Sequence, residues 1–230
     1  MPENRFYIDT PFEEEANIEL SGDEFHHLHV MRRKPGDAIE LVNGRGELAK
    51  SVLQEMGKRS AQIEIRQIIR MQKKEKKYIL VQAIVRLNAL ETIIEKGTEL
   101  GIAEFWLFPA VHTEKKEITD HQRKRLQLMS ISALKQCGRL DLPSIHEKPP
   151  LQKWPALKGL KYYGDVRKEA PSFLSPHSNE DLYFFIGPER GFAESEIQWM
   201  EKNQIKGVKL NENILRVDTA AIAASVIIST

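Results

Sequence analysis

The chain contains one cysteine among its 230 residues, Cys137. A single thiol cannot close an intramolecular disulfide, and it cannot supply the cysteine clusters that hold structural zinc or iron–sulfur centres. The helical spacing around Cys137 predicts that its side chain faces inward, as a small core residue rather than a nucleophile. The sequence therefore predicts neither a disulfide nor a metal centre.

Long apolar runs are also missing. No stretch approaches the ~18 uncharged apolar residues that a membrane span requires. The initial segment MPENRFYIDTPFEEE has no apolar region behind a basic start, as a signal peptide would have. We therefore expect a cytoplasmic protein that does not associate with membranes.

Neither sign of charge dominates, because 34 Lys and Arg residues oppose 33 Asp and Glu residues, which gives a net charge of +1. This balance argues against a protein that coats nucleic acid indiscriminately, but it allows a local basic patch. Packing and solvent exposure account for the clustered histidines better than a metal site does. The basic residues near the start of the chain are His26, His27, His29, Arg32, Arg33 and Lys34.

Residues 1–70 show the short alternating segments of a compact β-barrel. Ser21 and Glu24 have the spacing of a capping box, which predicts a helix over residues 21–31. Asn43 and Gly44 form a strong hairpin signal. Strands are predicted at residues 5–8, 38–42, 47–54 and 61–69. The charged stretch at residues 70–77 is predicted as a solvated linker in preference to an RNA-binding arm.

From Tyr78 the apolar pattern changes to continuous runs that alternate with helices. Asn88, followed by Glu91, is predicted to cap a helix, and Asp218 or Thr219 to cap the last one. Such strand–helix alternation is typical of a mostly parallel α/β sheet. Strands are predicted at residues 78–85, 105–109, 182–187 and 207–210, and the helices between them at residues 88–101, 119–138 and 193–202.

The loop IGPERGF lies between a buried strand and a helix, at the sheet edge where α/β proteins bind ligands. Gly187 and Gly191 let a ligand approach the backbone closely, Pro188 stiffens the loop, and Glu189 offers a carboxylate to a cationic ligand. A well-formed strand–helix turn explains the loop equally well, since glycine and proline occur in turns of every kind.

A second informative stretch is LNENILRVDTAAIAAS, residues 210–225. Its small side chains predict a helix that packs closely in the core. Arg216 stands between an apolar pair and the start of that helix, a position that suits a ligand or a phosphate better than solvent.

These two stretches together resemble the paired signature of the SPOUT methyltransferases, and most closely the RsmE type, which methylates N3 of a uridine in 16S ribosomal RNA. HHLHVMRRKPGD, EKGTELGI and ALKQCGR occur in the expected order and extend the resemblance along most of the chain. The resemblance implies a PUA-like RNA-binding β-barrel at residues 1–70 and a SPOUT domain with a deep trefoil knot at residues 71–230. It also implies a homodimer that acts on 16S ribosomal RNA or the small ribosomal subunit.

By the same resemblance the methyl donor is S-adenosylmethionine, and no metal is needed. Removal of the N3 proton leaves negative charge on the flanking carbonyl oxygens, so a cation stabilises the transition state and a carboxylate accepts the proton. Arg216 is the predicted stabiliser and Glu189 the predicted base or sulfonium partner. The predicted donor-binding residues are Ile186, Gly187, Pro188, Glu189, Gly191, Leu210, Asn211, Ile214 and Leu215, and the predicted RNA-binding residues are Arg5, His27, Arg32 and Arg33.

The sequence departs from the family pattern at three positions. Arg190 and Asn211 stand where glycine is usual, and Asp218 stands where glutamate is usual. Arg190 and Asn211 keep open a non-catalytic alternative, an RNA-binding or ribosome-assembly protein on the same fold. A phosphate-binding hydrolase that uses the Gly187 loop is a more distant alternative. The chain has no Walker motif, and its G-x-G, at Gly44 and Gly46, lies in a predicted hairpin turn, which argues against a Rossmann-type methyltransferase or dehydrogenase.

Overall fold

The computed structural model describes residues 4–72, 75–174 and 176–229. The chain divides into two compact units. The first consists of the residues before position 74 together with Ile131–Leu142, and the second consists of the rest. The predicted linker at residues 70–77 lies partly outside the described residues, at positions 73 and 74. No helix in the described parts of the chain is long and apolar enough to cross a membrane.

The first unit contains one five-stranded sheet in the order β1-β3-β4-β5-β2. Its pairs are antiparallel except for β1 with β3. No ladder joins β1 to β2 in the described residues, so the sheet of this predicted compact β-barrel is open between these two strands. Its strands are β1 (Arg5–Tyr7), β2 (Asn17–Ser21), β3 (Ala38–Val42), β4 (Glu47–Met56) and β5 (Ser60–Arg70).

The helix α1 (Gly22–Val30) confirms the helix predicted after Ser21, but the capping box is wrong. Ser21 is the last residue of β2, and its side chain makes no cap hydrogen bond. The Glu24 carboxylate is instead 2.6 Å from the Lys135 ammonium, in the same unit. This ion pair draws the glutamate away from the helix start, so α1 begins without a side-chain cap.

The second unit contains a six-stranded parallel sheet in the order β11-β9-β10-β6-β7-β8. The parallel α/β arrangement predicted from the sequence is therefore confirmed. Two of its strands, β8 and β9, had no clear signal in the sequence. The strands are β6 (Tyr78–Ala83), β7 (Glu104–Phe108), β8 (Ser144–Glu147), β9 (Leu160–Gly164), β10 (Leu182–Ile186) and β11 (Lys206–Val208).

Among its described residues, the second unit also has four longer helices and a short 3-10 helix at Leu151–Lys153, although the end of one helix belongs to the first unit. Asn88 is not a cap, because its helix begins one residue earlier and Arg86 holds the cap position without a side-chain bond. Asp218 likewise lies inside the first helical turn. The helices are α2 (Leu87–Glu99), α3 (Asp120–Cys137), α4 (Glu194–Lys202) and α5 (Val217–Ser229).

The sheet of the second unit is covered on both faces, as its continuous apolar strands predict. Along β6, Leu80 belongs to one buried cluster and Val81 to the other. Helix α2 approaches the sheet closely at Gly97, where an added Cβ would lie 2.6 Å from the Phe105 ring. Helix α5 packs through the buried small residues Ala221 and Ala224, as predicted.

Cys137 is exposed, so the prediction of an inward-facing core cysteine is wrong. It is the last residue of α3, and the buried row of that helix ends at Ala133 and Leu134. The inward-facing row predicted from the sequence therefore continued one helical turn too far, beyond the last buried residues of the helix.

Candidate active site

Three neighbouring strands, β9, β10 and β11, run parallel and end at the same edge of the sheet. The chain after β9 also pairs with the chain after β11, because the Phe173 N–H donates to the Lys209 carbonyl at 2.8 Å. At Gly164 an added Cβ would lie 3.9 Å from both the Ile186 and the Leu210 side chains. The three loops that follow these strands therefore meet at one place.

The loop after β10 is a tight turn closed on itself. The Gly191 N–H donates to the Pro188 carbonyl at 2.8 Å, and Gly191 has a φ of +73°, which favours glycine. Gly187 lies beneath Phe192, where an added Cβ would be 3.2 Å from the ring. The side chains of Glu189 and Arg190 are exposed at the tip of this turn.

Glu196 joins this loop to the loop after β7. Its side chain is 1% exposed, and its two oxygens accept from the Ala193 N–H at 2.9 Å and from the Val111 N–H at 3.0 Å. His112 Nδ1 lies 3.1 Å from the Gly191 carbonyl oxygen and adds a second link. The sequence contained a signal for Glu196, since it stands three residues after the cap residue Ala193, but this residue was missed.

The loop after β11 begins with an Asx turn, in which Asn211 Oδ1 accepts from the Asn213 N–H at 2.9 Å. Asn211 is not among the described non-glycine residues with positive φ. An asparagine in place of the usual glycine therefore causes no backbone strain here. Ile214 is 81% exposed, and the N–H groups of Ile214 and Leu215 have no acceptor in the described chain.

Arg216 is exposed just before α5, and its carbonyl accepts from the Ala220 N–H at 2.8 Å. Neither its guanidinium nor the Glu189 carboxylate forms a hydrogen bond or an ion pair with another described residue. Both groups are therefore free to act on a bound molecule. Ile186 and Pro188, by contrast, are buried at the base of the loop after β10.

The start of the loop after β9 is fixed by a polar network that the sequence did not reveal. Arg167 donates to Asp165 at 2.7 Å, and the Tyr163 hydroxyl donates to the same carboxylate at 3.3 Å. Burial opposes ionisation of Asp165, but the hydrogen bonds and charge of Arg167 hold its pKa below the ordinary value. Burial and the adjacent Asp165 charge raise the pKa of Tyr163 to about 12.

A cavity of about 150 Å³ lies beside these loops, at the same sheet edge. It is formed by the residues after β6, the residues after β7 and the tip of the loop after β10. Glu189 belongs to both the cavity and the loop after β10. The residues that line the cavity are Ile84, Val85, Arg86, Leu87, Leu90, Glu114, Lys115, Glu117, Ile118, Gln122 and Glu189.

The predicted RNA-binding residues of the first unit occupy different environments. Arg5 offers little surface to RNA, because its side chain is only 8% exposed and is 2.8 Å from Glu40, inside the sheet. His27 is half-buried with its ring 5.1 Å from that of Phe6. Arg32 is exposed, and the backbone of Arg33 donates to the Leu28 carbonyl.

Within the described ranges, no three His, Cys, Asp or Glu side chains are grouped so as to hold a metal ion. The histidines near the start of the chain make local contacts instead. His29 Nδ1 lies 3.1 Å from the Phe25 carbonyl, and His27 lies 3.6 Å from Glu24. These contacts are local to α1.

Comparison with known proteins gives two family matches. Residues 72–229 match the RNA methyltransferase domain, and residues 20–66 match the RNA methyltransferase PUA domain. A Rickettsia conorii protein named ribosomal RNA small subunit methyltransferase E is 30% identical, over 97% of this chain and 94% of its own length. A Bacillus subtilis protein of the same name is 25% identical, over 96% of this chain and 93% of its own length. A ribosomal RNA small subunit methyltransferase E from Neisseria gonorrhoeae, solved bound to S-adenosylmethionine, has a TM-score of 0.84 and 25% identity, over 96% of this chain and 94% of its own.

Proposed function

Because the chain belongs to the RNA methyltransferase family, we propose that it transfers a methyl group from S-adenosylmethionine to N3 of a uridine in 16S ribosomal RNA. The convergence of three loops at the carboxyl ends of β9, β10 and β11 carries this proposal. The names of the relatives support a small-subunit ribosomal RNA substrate, and the Neisseria structure supports the donor. The choice of uridine N3 follows from the resemblance to the RsmE type.

The residues of the three loops suit S-adenosylmethionine, which combines an adenosine with a positively charged sulfonium. Leu210 and Leu215 offer apolar surface to the adenine, and the N–H groups of Ile214 and Leu215, which have no acceptor in the described chain, offer hydrogen-bond donors. Gly187, Pro188, Gly191 and Asn211 give the two loops their shape. When bound, the donor supplies the methyl group, which passes to the acceptor nitrogen as the carbon–sulfur bond breaks.

We assign the chemistry at the uridine, which accepts the methyl group, to two exposed side chains. Glu189 accepts the N3 proton of the uridine, a step that must accompany methylation because the neutral nitrogen has no free electron pair to share. Arg216 stabilises the negative charge that then develops on a flanking carbonyl oxygen. Each group is free of other partners in the described chain and is therefore available to act on a transient charge.

The first unit is assigned to RNA capture. Arg32 and His27 have exposed faces for the phosphate backbone, and Arg33 lies beside them. Arg5 is left out of this role because Glu40 neutralises it in the sheet. By family resemblance the second unit forms a deep trefoil knot and the chain forms a homodimer. With a ribosomal substrate, we expect the protein to act in the cytoplasm.

The test uses small ribosomal subunits and free 16S RNA from a strain without this gene, incubated with purified protein and labelled S-adenosylmethionine. Mass spectrometry is expected to find one new 3-methyluridine. Arg216→Ala is expected to lower the rate by about 100-fold, as the loss of one charge-stabilising group does. Lys202→Ala, which removes an exposed cation at the end of α4, is the matched control and is expected to keep full activity.

Methylation at another atom or in another RNA would overturn the uridine-N3 assignment. If the protein neither binds the donor nor modifies the RNA, the assignment of an enzymatic activity would be overturned. The non-catalytic RNA-binding alternative would then account for the chain.

A further inference from the structure

The cavity of about 150 Å³ beside the donor loops has no role in the function described so far. We propose that it receives the target pyrimidine ring, flipped out of the RNA, and that Arg86 stabilises the charge on this ring during methylation. The inference rests on the proposed function, because it names the place of the acceptor in the same reaction. Apart from Glu189, none of the predicted donor-binding residues lines the cavity.

The size of the cavity suits a single six-membered ring. A dry protein cavity of about 150 Å³ is known to hold benzene, and a pyrimidine ring is of comparable size. The complete methyl donor, with its adenosine and amino-acid parts, is several times larger. The volume therefore favours a base over the donor.

The lining of the cavity also suits a base. Leu87, Leu90 and Ile118 supply apolar surface against which the faces of a flat ring can pack. Arg86 and Lys115 supply hydrogen-bond donors for carbonyl oxygens, and Glu189 supplies an acceptor for an N–H group. The pairing edge of uracil presents one N–H between two carbonyl groups, which is the complement of this set.

A phosphate group fits this lining poorly. Glu114, Glu117 and Glu189 carry three negative charges, while Arg86 and Lys115 carry two positive charges. A dianion would be repelled by the carboxylates, whereas a neutral base meets both donors and acceptors. The mixed lining therefore distinguishes base recognition from simple capture of the RNA backbone.

Arg86 is placed to act on charge at the ring. Its side chain is exposed, and its guanidinium has no hydrogen-bond or ion-pair partner in the described parts of the chain. Arg86 is the cap residue of α2, and its side chain makes no cap bond. The N–H groups at the start of this helix add positive potential at the same place. When N3 gives its proton to Glu189, charge develops on both carbonyl oxygens of the ring, and Arg86 stabilises the charge on one of them.

The position of Glu189 connects the two halves of the reaction. It lies on the loop after β10, among the donor-binding residues, and it also lines the cavity. A base in the cavity would thus present its N3 to a carboxylate that stands between acceptor and donor. The cavity and the donor loops then form one continuous site at the edge of the sheet.

The first experiment compares Arg86→Gln and Lys115→Gln with the matched control Lys124→Gln, which removes an exposed cation from α3 away from the cavity. Donor affinity is measured by calorimetry, and kcat and KM are measured with small ribosomal subunits. Arg86→Gln is expected to lower kcat by about 100-fold while the donor Kd stays within about twofold. Lys115→Gln is expected to raise KM for the subunit.

A pH profile separates charge stabilisation from a merely structural role. A cation near the ring favours loss of the N3 proton, so the wild-type rate levels off at lower pH than it would without Arg86. The Arg86→Gln profile is expected to level off at higher pH. Ile118→Phe, which adds bulk to the cavity wall, is expected to lower subunit methylation without a change in donor affinity, and retained donor binding shows that this variant is folded.

The outcomes distinguish a failure of this inference from a failure of the function on which it rests. If the wild-type protein modifies no RNA, the proposed function fails and the inference falls with it. If the wild-type protein is active and Arg86→Gln behaves like Lys124→Gln, the inference alone is overturned. A tenfold or larger loss of donor affinity in Arg86→Gln would also overturn it, because the cavity would then belong to the donor.

Discussion

Glu196 accepts a hydrogen bond from the backbone N–H of Val111, 85 residues earlier in the chain, at a distance of 3.0 Å. Its other carboxylate oxygen accepts from the Ala193 N–H at the start of α4. One buried side chain thus ties the loop after β7 to the loop after β10. The first of these loops leads to the cavity wall at Lys115, and the second carries Glu189.

Glu196→Gln is expected to destabilise the protein by about 1–2 kcal/mol, because an amide oxygen can replace only one of the two acceptors and leaves a partly buried N–H unpaired. Urea unfolding measures the change. Glu194→Gln is the matched control, since Glu194 is exposed on the same helical turn and its bond to Gln198 survives the substitution. Equal stability of the two variants would show that the Glu196 link contributes nothing.

Gly207→Ala is expected to destabilise the protein by about 1–3 kcal/mol through overpacking. The new methyl group would lie 2.6 Å from Asp165 Oδ2 and 2.7 Å from the Tyr163 hydroxyl, so the polar network after β9 would have to move. Gly164→Ala is the control, because its methyl group meets nothing closer than 3.9 Å. Thermal unfolding of both variants checks the difference, and a Gly207→Ala protein as stable as the control would refute this account.

The acid stability of the protein is expected to depend on Asp165. Its pKa is lowered in the folded state, so its contribution is fully present above the pKa of the unfolded chain and is lost as pH falls through the folded value. In Arg167→Gln the shift is smaller, and the unfolding free energy should fall less steeply between about pH 4 and the folded pKa. Lys168→Gln, which removes the neighbouring exposed cation, should keep the wild-type slope. Urea unfolding across this pH range provides the measurement.

Cys137 is expected to react with a maleimide in the native protein, since its side chain is exposed at the end of α3. Cys137→Ser should change the free energy of unfolding by less than about 0.5 kcal/mol, as surface substitutions usually do. Full methylation activity of this variant would agree with N3 chemistry, which needs no covalent thiol. Loss of activity, with the fold intact, would contradict the mechanism proposed above.

The sequence predicted the elements whose pattern is local. Continuous apolar runs predicted β6 and β10, and Thr119 marked the start of α3, where its hydroxyl accepts from the Gln122 N–H. Strand β9 was missed, because LKYYG is too short and too mixed to show a period. The convergence of its end with the loops after β10 and β11 is set by strand order, which no local pattern encodes.

The site was predicted in part for the same reason. The glycines and the proline of the loop after β10 are local signals, and their turn is present. The Glu196 link and the cavity at Arg86 depend on loops that are far apart in sequence and adjacent only after the strands have paired. The burial of Arg5 was not predicted, because sequence alone gives no sign of its partner Glu40 on the neighbouring strand.

The pairing of β6 with β10 determines when the site can form during synthesis of the chain. The Lys77 N–H at the start of β6 donates to Asp181, 104 residues later, and the whole β6–β10 ladder closes a loop of similar length. Contacts of such long range form slowly, because the entropy of loop closure must be overcome before they stabilise the chain. A nascent chain that has emerged only as far as β9 therefore has a partial sheet and no donor site. Activity is expected to appear late and abruptly, with the pairing of the last two strands.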